Sequence, residues 1–413
     1  MPLDKGNTMK QITIVGIGMG NEKTLTIEAA EAIKNAEVLI GAKRMIGERA
    51  ADGQQCAYVY LPNEVKAAVE GSTCERFAIL MSGDTGFYSA TKQLRDVLDE
   101  YEVKVLPGIS SVSYFSSKIG LSWDDCYLLS RHGREGDLVG AVRTHEKTFS
   151  LTANNVPQLC KELVEVGLDE VTVYIGERLS YEDEAIHTGK PSEFVDQTFA
   201  SVSVIMVVNP NWNNTLRIGI DDEEFIRAKV PMTKSEVRAV IMSKLQIKPG
   251  TVVYDIGAGT GSVSIEMALN NPNGMVYAVE HKEAAVELIG QNKEKFQVGN
   301  LEIIHGAAPE AMEGLPEPSS VFIGGSSGNM EQILANICKA SGRVRIVASA
   351  IALETLSEVI SLYDKFGLQE VDIAQVSVAK AKKVARYNMM MGQNPIYIIS
   401  GTKETSYEKS RLN

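Results

Sequence analysis

An apolar strand that runs into three alternate glycines and then into a helix constrains this chain more than any other feature. VVYDIGAGTGSVSIEMA (252–268) carries Asp255 near the strand end, followed by Gly257, Ala258, Gly259, Thr260 and Gly261. Glycines let a backbone turn sharply and approach a ligand with no Cβ in the way. The loop falls at the carboxyl end of a first strand, where open α/β sheets bind ligands. A dinucleotide wants GxGxxG, with its pyrophosphate on the helix N-terminus. Here the spacing is DxGxGxG. Asp255 would repel a pyrophosphate but suits a cation such as S-adenosylmethionine. Glu280 ends the next strand, MVYAVEHK (275–282), where a carboxylate can accept both ribose hydroxyls. A structural glycine turn with a capping Asp is the other reading of these residues.

Around this loop, Val- and Ile-rich runs alternate with amphipathic helical stretches. Strands are expected near 11–17, 37–41, 57–61, 76–82, 102–106, 126–130, 147–152, 170–176 and 201–208. A second series lies at 251–257, 275–279, 301–304, 319–324, 343–348, 371–378 and 395–400. Helices are expected over 26–36, 90–101 and 235–245. Alternation of this kind predicts an α/β chain with mainly parallel sheets covered by helices. At roughly 100–200 residues per domain, 413 residues predict two or three domains. The best boundary is the Asn- and acid-rich stretch 209–231. The expected division is a first domain over 9–210, a linker over 211–229, a second domain over 230–402 and a tail over 403–413.

Charge divides the same way. Residues 1–228 hold 22 Lys+Arg and 34 Asp+Glu, a net of −12, and residues 229–413 hold 19 of each. An acidic balance argues against a general nucleic-acid binder. No apolar run reaches the roughly 18–20 residues of a membrane span. The N-terminus goes straight into a strand, so no signal peptide is expected. Five dispersed cysteines without a CxxC are expected to be reduced structural thiols in the cytoplasm. Five dispersed histidines give no metal cluster.

Asp255, the three glycines and Glu280 resemble the Rossmann-like S-adenosylmethionine-dependent methyltransferases. Their flanks narrow the likeness. VPMTKSEVRAVIMSKL (230–245), IIHGAAPEAM (303–312), VFIGGSSGN (321–329), VASAIALETL (347–356) and NPIYIISG (394–401) resemble the decarboxylating precorrin methyltransferases of cobalamin biosynthesis. The resemblance implies that Thr233 contacts the cofactor and that Gly324, Gly325 and Ser326 line the substrate. Thr233 can equally be a helix N-cap, with Glu236 completing a capping box. Where the family has Gly-Asp-Ala-Pro, this chain reads Gly306-Ala307-Ala308-Pro309. Ala307 is therefore expected only to line the adenine end, by backbone and apolar packing.

The first half opens with Gly16-x-Gly18-x-Gly20, and Asn21 spoils a dinucleotide fingerprint. SGDTGFY (82–88), PGISSVSYFSSKIGLSWDD (107–125), SRHGRE (130–135) and YIGERLSYEDE (174–184) follow. Together these segments resemble the tetrapyrrole methylases, in their cobalt-precorrin C5-methylating branch. That family has two α/β subdomains with the cofactor between them. The resemblance implies that Gly83, Asp84, Thr85, Gly108, Ile109, Ser110 and Ser111 line the cofactor site. It also implies that the Gly16–Gly20 loop, with Gly16 and Gly18, faces the macrocycle. Gly83 and Gly86 also suit a plain tight turn.

A precorrin carries many carboxylate arms, so cations are needed. Arg131 and Arg134 suit bidentate pairing, and His132 is either a carboxylate contact, a catalytic group or a loop residue. Lys234 and Arg238 are candidates beside the cofactor helix. Lys380, Lys382, Lys383 and Arg386 are either further carboxylate contacts or a solvated face. Tyr387 and Met389–Met391 suit either a macrocycle wall or core filling. Glu177 and Arg178 are either an ion pair or separate.

The two resemblances imply methylation at carbon 5 by the first domain. The second would methylate carbon 15 and release carbon dioxide from the carbon 12 acetate. Each domain would use its own S-adenosylmethionine, with no protein-bound metal and no obligatory catalytic residue. Relatives of both halves self-associate, which implies a homo-oligomer, with no nucleic-acid or membrane partner. An NAD-dependent oxidoreductase, favoured by the glycine loops alone, and an RNA methyltransferase are the alternatives. A non-catalytic sensor of the cofactor has no specific support.

Overall fold

A computed structural model describes residues 10–131, 136–215 and 217–405. Two compact units form. The first takes the described residues up to 131 with 147–157 and 172–208, and the second takes 136–146, 158–171 and 209–405. The division is therefore not a single cut along the chain.

In the first unit, one sheet is wholly parallel: β1 (Gln11–Gly16), β2 (Val38–Ile40), β3 (Gln55–Ala57), β4 (Arg76–Met81) and β5 (Glu102–Leu106). Their order is β3-β2-β4-β1-β5. Each connection is a helix, as parallel pairing requires. Helix Ile27–Asn35 starts where the Thr26 hydroxyl accepts the Ala29 N–H at 3.1 Å. Helix Ser111–Ile119 starts at Ser110 and ends at Gly120, whose φ of 71° is the left-handed cap glycine allows. The second sheet holds β6 (Tyr127–Ser130), β7 (Lys147–Leu151), β8 (Thr172–Glu177), β9 (Ala185–Gly189) and β10 (Ser203–Val208), in the order β6-β7-β10-β8-β9. Only β6 and β7 pair in parallel there. Strand β9 was not expected. It lies at the sheet edge and is partly exposed throughout, so it lacks the apolar run that marks a buried strand.

The second unit is built on seven strands: β11 (Val252–Ile256), β12 (Met275–Glu280), β13 (Leu301–His305), β14 (Ser320–Ile323), β15 (Val344–Ala350), β16 (Gln369–Val376) and β19 (Ile396–Lys403). Their order is β13-β12-β11-β14-β15-β19-β16. Strands β11–β15 pair in parallel, and β19 is antiparallel to both its neighbours, β15 and β16. Successive residues feed opposite faces: Val253, Val276 and Ala278 enter one core, and Tyr254, Ile256 and Val279 the other. The chain winds outward from β11 through β12 to β13, then returns to β14 and β15 on the other side. The crevice at the carboxyl ends of β11 and β14 is thus the topological switch point, where such sheets bind ligands.

Strands β17 (Ala379–Val384) and β18 (Tyr387–Gly392) form a separate hairpin, exposed along its whole length. It too was not expected, because 379–392 has neither an alternating pattern nor a buried face. Met389–Met391 are not core residues, and Lys382, Lys383 and Arg386 stand in solvent. Among the described residues, no helix is long and apolar enough to cross a membrane.

Candidate cofactor sites

Gly257, Gly259 and Gly261 have φ of 72°, 57° and 74°, a conformation glycine adopts at little cost. The immediate demand for glycine comes from the protein. A Cβ on Gly257 would lie 2.5 Å from the Gly325 carbonyl oxygen, and one on Gly259 would lie 3.0 Å from that of Pro231. The loops after β11 and β14 therefore meet backbone to backbone in the crevice. Gly324 donates to the Ile256 carbonyl at 2.9 Å. This places Gly324, Gly325 and Ser326 on the lip opposite the glycine loop.

Glu280, at the end of β12, accepts the Gly259 N–H at 2.9 Å with Oε2. Its Oε1 accepts the N–H groups of His281 and Lys282 at 2.9 and 3.0 Å. The carboxylate is thus fixed against the loop, with Oε2 left capacity for a second donor. The Gly306 N–H bonds the Glu280 carbonyl at 2.9 Å, so exposed Ala307 lies in the segment beside it. Asp255 is fully buried; Oδ2 accepts the Ser264 hydroxyl, and Oδ1 has no partner among the described residues. Burial pushes its carboxyl up to about 7; the Ser264 hydrogen bonds oppose this and the Glu280 charge adds to it. Among the described residues the buried Thr260 hydroxyl also lacks a partner. Two buried polar atoms without partners, one of them a carboxylate oxygen, fit a ligand with cationic and hydrogen-bonding groups.

Two expectations here need correction. Arg238 does not contact substrate. It is fully buried, with its guanidinium on Glu266 (2.8 Å), Asp222 (3.0 Å) and the carbonyls of Thr233 and Ile220. Thr233 is not the N-cap of helix Ser235–Leu245. Lys234 holds that position, Asp222 accepts the Ser235 N–H at 3.1 Å, and Glu236 pairs with Lys380 at 2.8 Å instead of closing a capping box. Lys234 remains partly exposed, 3.3 Å from Asp222.

In the first unit, the loops after β1, β4 and β5 converge. Gly18 and Gly83 exchange backbone hydrogen bonds at 3.1 and 2.7 Å. A Cβ on Gly108 would lie 2.2 Å from the Gly83 carbonyl oxygen, and one on Gly16 would lie 2.6 Å from the Gly108 nitrogen. Asp84 staples the cluster, accepting the Gly86 N–H at 2.8 Å and the Gly108 N–H at 3.0 Å. Thr85 is buried and bonds the Leu106 carbonyl at 3.2 Å. Ser110 caps its helix, Ser111 is buried, and Ile109 is exposed. The expected cofactor residues are therefore neighbours. Gly16 and Gly18 are themselves buried, so they do not line an open surface. Glu177 and Arg178 are not a pair: Glu177 meets His187 at 2.7 Å and Arg178 meets Asp183 at 2.8 Å. Arg131 bonds the Leu151 carbonyl through its backbone at 2.9 Å. His132 and Arg134 lie outside the described residues.

Beside Thr85 is a cavity of about 1110 Å³ whose lining includes Gly86, Phe87, Tyr88, Lys92 and Tyr101. Tyr88 holds a left-handed φ of 49° while its hydroxyl bonds the Leu128 carbonyl at 2.9 Å. Sequence reasoning missed this cavity, because helix 91–97 carries no motif. It also missed Asp222, Glu266 and Asn292, whose side-chain hydrogen-bond partners lie 13 to 66 positions away in the sequence. Among the described residues, no group of three or more His, Cys, Asp or Glu side chains is placed to hold a metal ion. Burial pushes the thiols of Cys126 and Cys160 up to about 11 and 12, leaving them poor nucleophiles at neutral pH.

Comparison with known proteins completes the picture. Residues 224–403 match the precorrin methyltransferase domain, and residues 11–195 match the tetrapyrrole (corrin/porphyrin) methylases. A probable cobalt-precorrin-6B C(15)-methyltransferase (decarboxylating) of Sulfurisphaera tokodaii is 42% identical over 188 residues, 45% of this chain and 97% of its own length. A precorrin-6Y C(5,15)-methyltransferase (decarboxylating) of a Sinorhizobium species is 28% identical over 377 residues, 88% of this chain and 91% of its own. The crystal structure of a precorrin-6y C5,15-methyltransferase from Geobacter metallireducens covers 45% of this chain and 96% of its own, at 41% identity and a TM-score of 0.43. The nicotinamide reading of the glycine loops falls with these matches: the chain belongs to the decarboxylating precorrin methyltransferase family, whose members are S-adenosylmethionine-using methyltransferases.

Proposed function

We propose that the chain methylates a precorrin macrocycle twice in cobalamin biosynthesis, at carbon 5 and at carbon 15, and removes carbon dioxide from the carbon 12 acetate. The proposed division is the one read from the sequence: 9–210 for carbon 5, 211–229 as linker, and 230–402 for carbon 15 and decarboxylation, with 403–413 as tail. Each domain holds one S-adenosylmethionine. In the second, Asp255, the 257–261 loop, Thr233 and Glu280 hold it, with Ala307 beside the adenine and 324–326 facing the ring. In the first, 83–85 and 108–111 hold it. Arg131, His132, Arg134 and Lys234 are the proposed carboxylate contacts. The working state is a cytoplasmic homo-oligomer with no nucleic-acid or membrane partner.

The cofactor supplies an electrophilic methyl group. The ring carbon is itself the nucleophile, so the chain needs no nucleophilic side chain. Glu280 and the glycine loop orient, and the crevice excludes water. Decarboxylation uses the conjugated imines of the substrate as electron sink, as a cofactor serves elsewhere. The observation that carries this reading is Glu280, anchored to Gly259 at 2.9 Å beside the partnerless buried oxygen of Asp255. Mass spectrometry of the tetrapyrrole after incubation with methyl donor tests it. Gain of two methyl groups with loss of one carbon dioxide is expected; an unchanged substrate mass would sink the reading.

A further inference from the structure

The segment that leads into the second unit's helix Ser235–Leu245 packs within that unit. It is strapped onto the glycine loop by three fully buried polar side chains, Arg238, Glu266 and Asn292. Glu266 accepts the N–H groups of Gly219 and Ile220, both at 2.9 Å. Arg238 joins Glu266 to Asp222 and to the carbonyls of Ile220 and Thr233, and its guanidinium lies 4.7 Å from the Phe225 ring centroid. Asn292 accepts the Ile226 N–H at 2.8 Å and donates to the Ile226 carbonyl at 3.2 Å. The same Asn292 amide donates to the Thr260 carbonyl, in the glycine loop, at 3.0 Å. At the far end of the segment, the Pro231 carbonyl packs on Gly259 closely enough that a Cβ would approach it to 3.0 Å.

We propose that Arg238, with Asp222, Glu266 and Asn292, is a positioning device for cofactor binding: it clamps residues 219–233 as a rigid cover on the Gly257–Gly261 loop. The inference rests on the cofactor site proposed above. A buried ion pair is a poor means to stability, since apolar side chains of similar volume often do as well or better. What this network does supply is geometry. Its donors and acceptors join three places in sequence, 219–226, 233–238 and 260–292; apart from the contacts of Asp222 with Lys234 and the Ser235 N–H, each bond ends on the backbone of the cover, on the loop or on another member of the clamp. A cover already in place spares the cofactor the entropy of ordering it.

The test uses the full chain and S-adenosylhomocysteine. Arg238→Lys keeps the charge and loses the fork. Hydrogen exchange of peptides spanning 219–236 should quicken. Affinity at the second-unit site should fall about tenfold, which is about 1.4 kcal/mol. The carbon 15 reaction should show a raised KM for methyl donor, with kcat recovered at saturation, while carbon 5 methylation keeps its KM. A merely structural role would lower Tm and leave that KM alone. Exposed Pro231→Gly, which loosens the cover without touching the core, should shift affinity and KM the same way by a smaller factor, so the test survives if Arg238→Lys does not fold. Quickened exchange with unaltered affinity overturns the proposal, as does wild-type affinity in Pro231→Gly. Failure of the wild-type second unit to bind S-adenosylhomocysteine would overturn the cofactor reading instead.

Discussion

Replacing Asp255 by Asn should remove a pH dependence from cofactor binding in the second unit. Burial raises the Asp255 carboxyl from 3.8 to about 7, a shift worth about 4 kcal/mol at 1.36 kcal/mol per unit. A raised carboxyl means that the folded chain holds a proton the unfolded chain has released. Its favourable contribution is complete below pH 3.8 and is lost as pH rises through about 7. A cationic ligand reverses the preference, because it favours the ionised form. Binding below pH 7 must therefore expel the proton, and affinity should rise about fivefold from pH 6 to pH 7, about tenfold from pH 6 to pH 8, and level off above that. Calorimetry with S-adenosylmethionine at pH 6, 7 and 8, in buffers of different ionisation enthalpy, counts that proton. Asp255→Asn controls for titration of the ligand itself and should be more stable than wild type at pH 8. A wild-type affinity flat from pH 6 to 8, or an equal slope in Asp255→Asn, would refute the reasoning.

Glu280→Ala should stop carbon 15 methylation and decarboxylation yet leave carbon 5 methylation, and Asp84→Ala should do the reverse; product masses decide, and loss of both activities in a folded variant would refute two separate sites. Asp84→Ala also unties the Gly86 and Gly108 N–H groups, so a stability loss of about 1–3 kcal/mol by urea unfolding is expected. Gly257→Ala meets both a φ of 72° and the Gly325 backbone, and should lower Tm along with cofactor affinity, whereas Gly314→Ala, with a φ of 78° and open space around it, should carry the backbone cost alone.

Much of the fold was legible because its strands are buried on both faces. Runs such as Val252–Ile256 or Ser203–Val208 are apolar enough to be found without any neighbour. Edge strand β9 and the solvent-exposed hairpin carry no such run and were invisible. Helix Ser235–Leu245 was found with its bounds, but its cap was misplaced, because the residue that accepts the Ser235 N–H is Asp222, thirteen positions back.

Sequence by itself determined the α/β alternation, the two glycine-rich loops and the family. These depend on local spacing and residue type, which the chain carries wherever it folds. Tertiary structure alone decided what each polar residue does. Arg238 looked like a substrate contact, and burial made it a clamp. Gly16 looked like a ligand lining, and the approach of Gly108 made it a packing requirement. Asp255 reads as a plain carboxylate, and removal from water raised its pKa to about 7. Desolvation and long-range hydrogen bonds fix such roles, and neither is a property of a residue's neighbours in sequence.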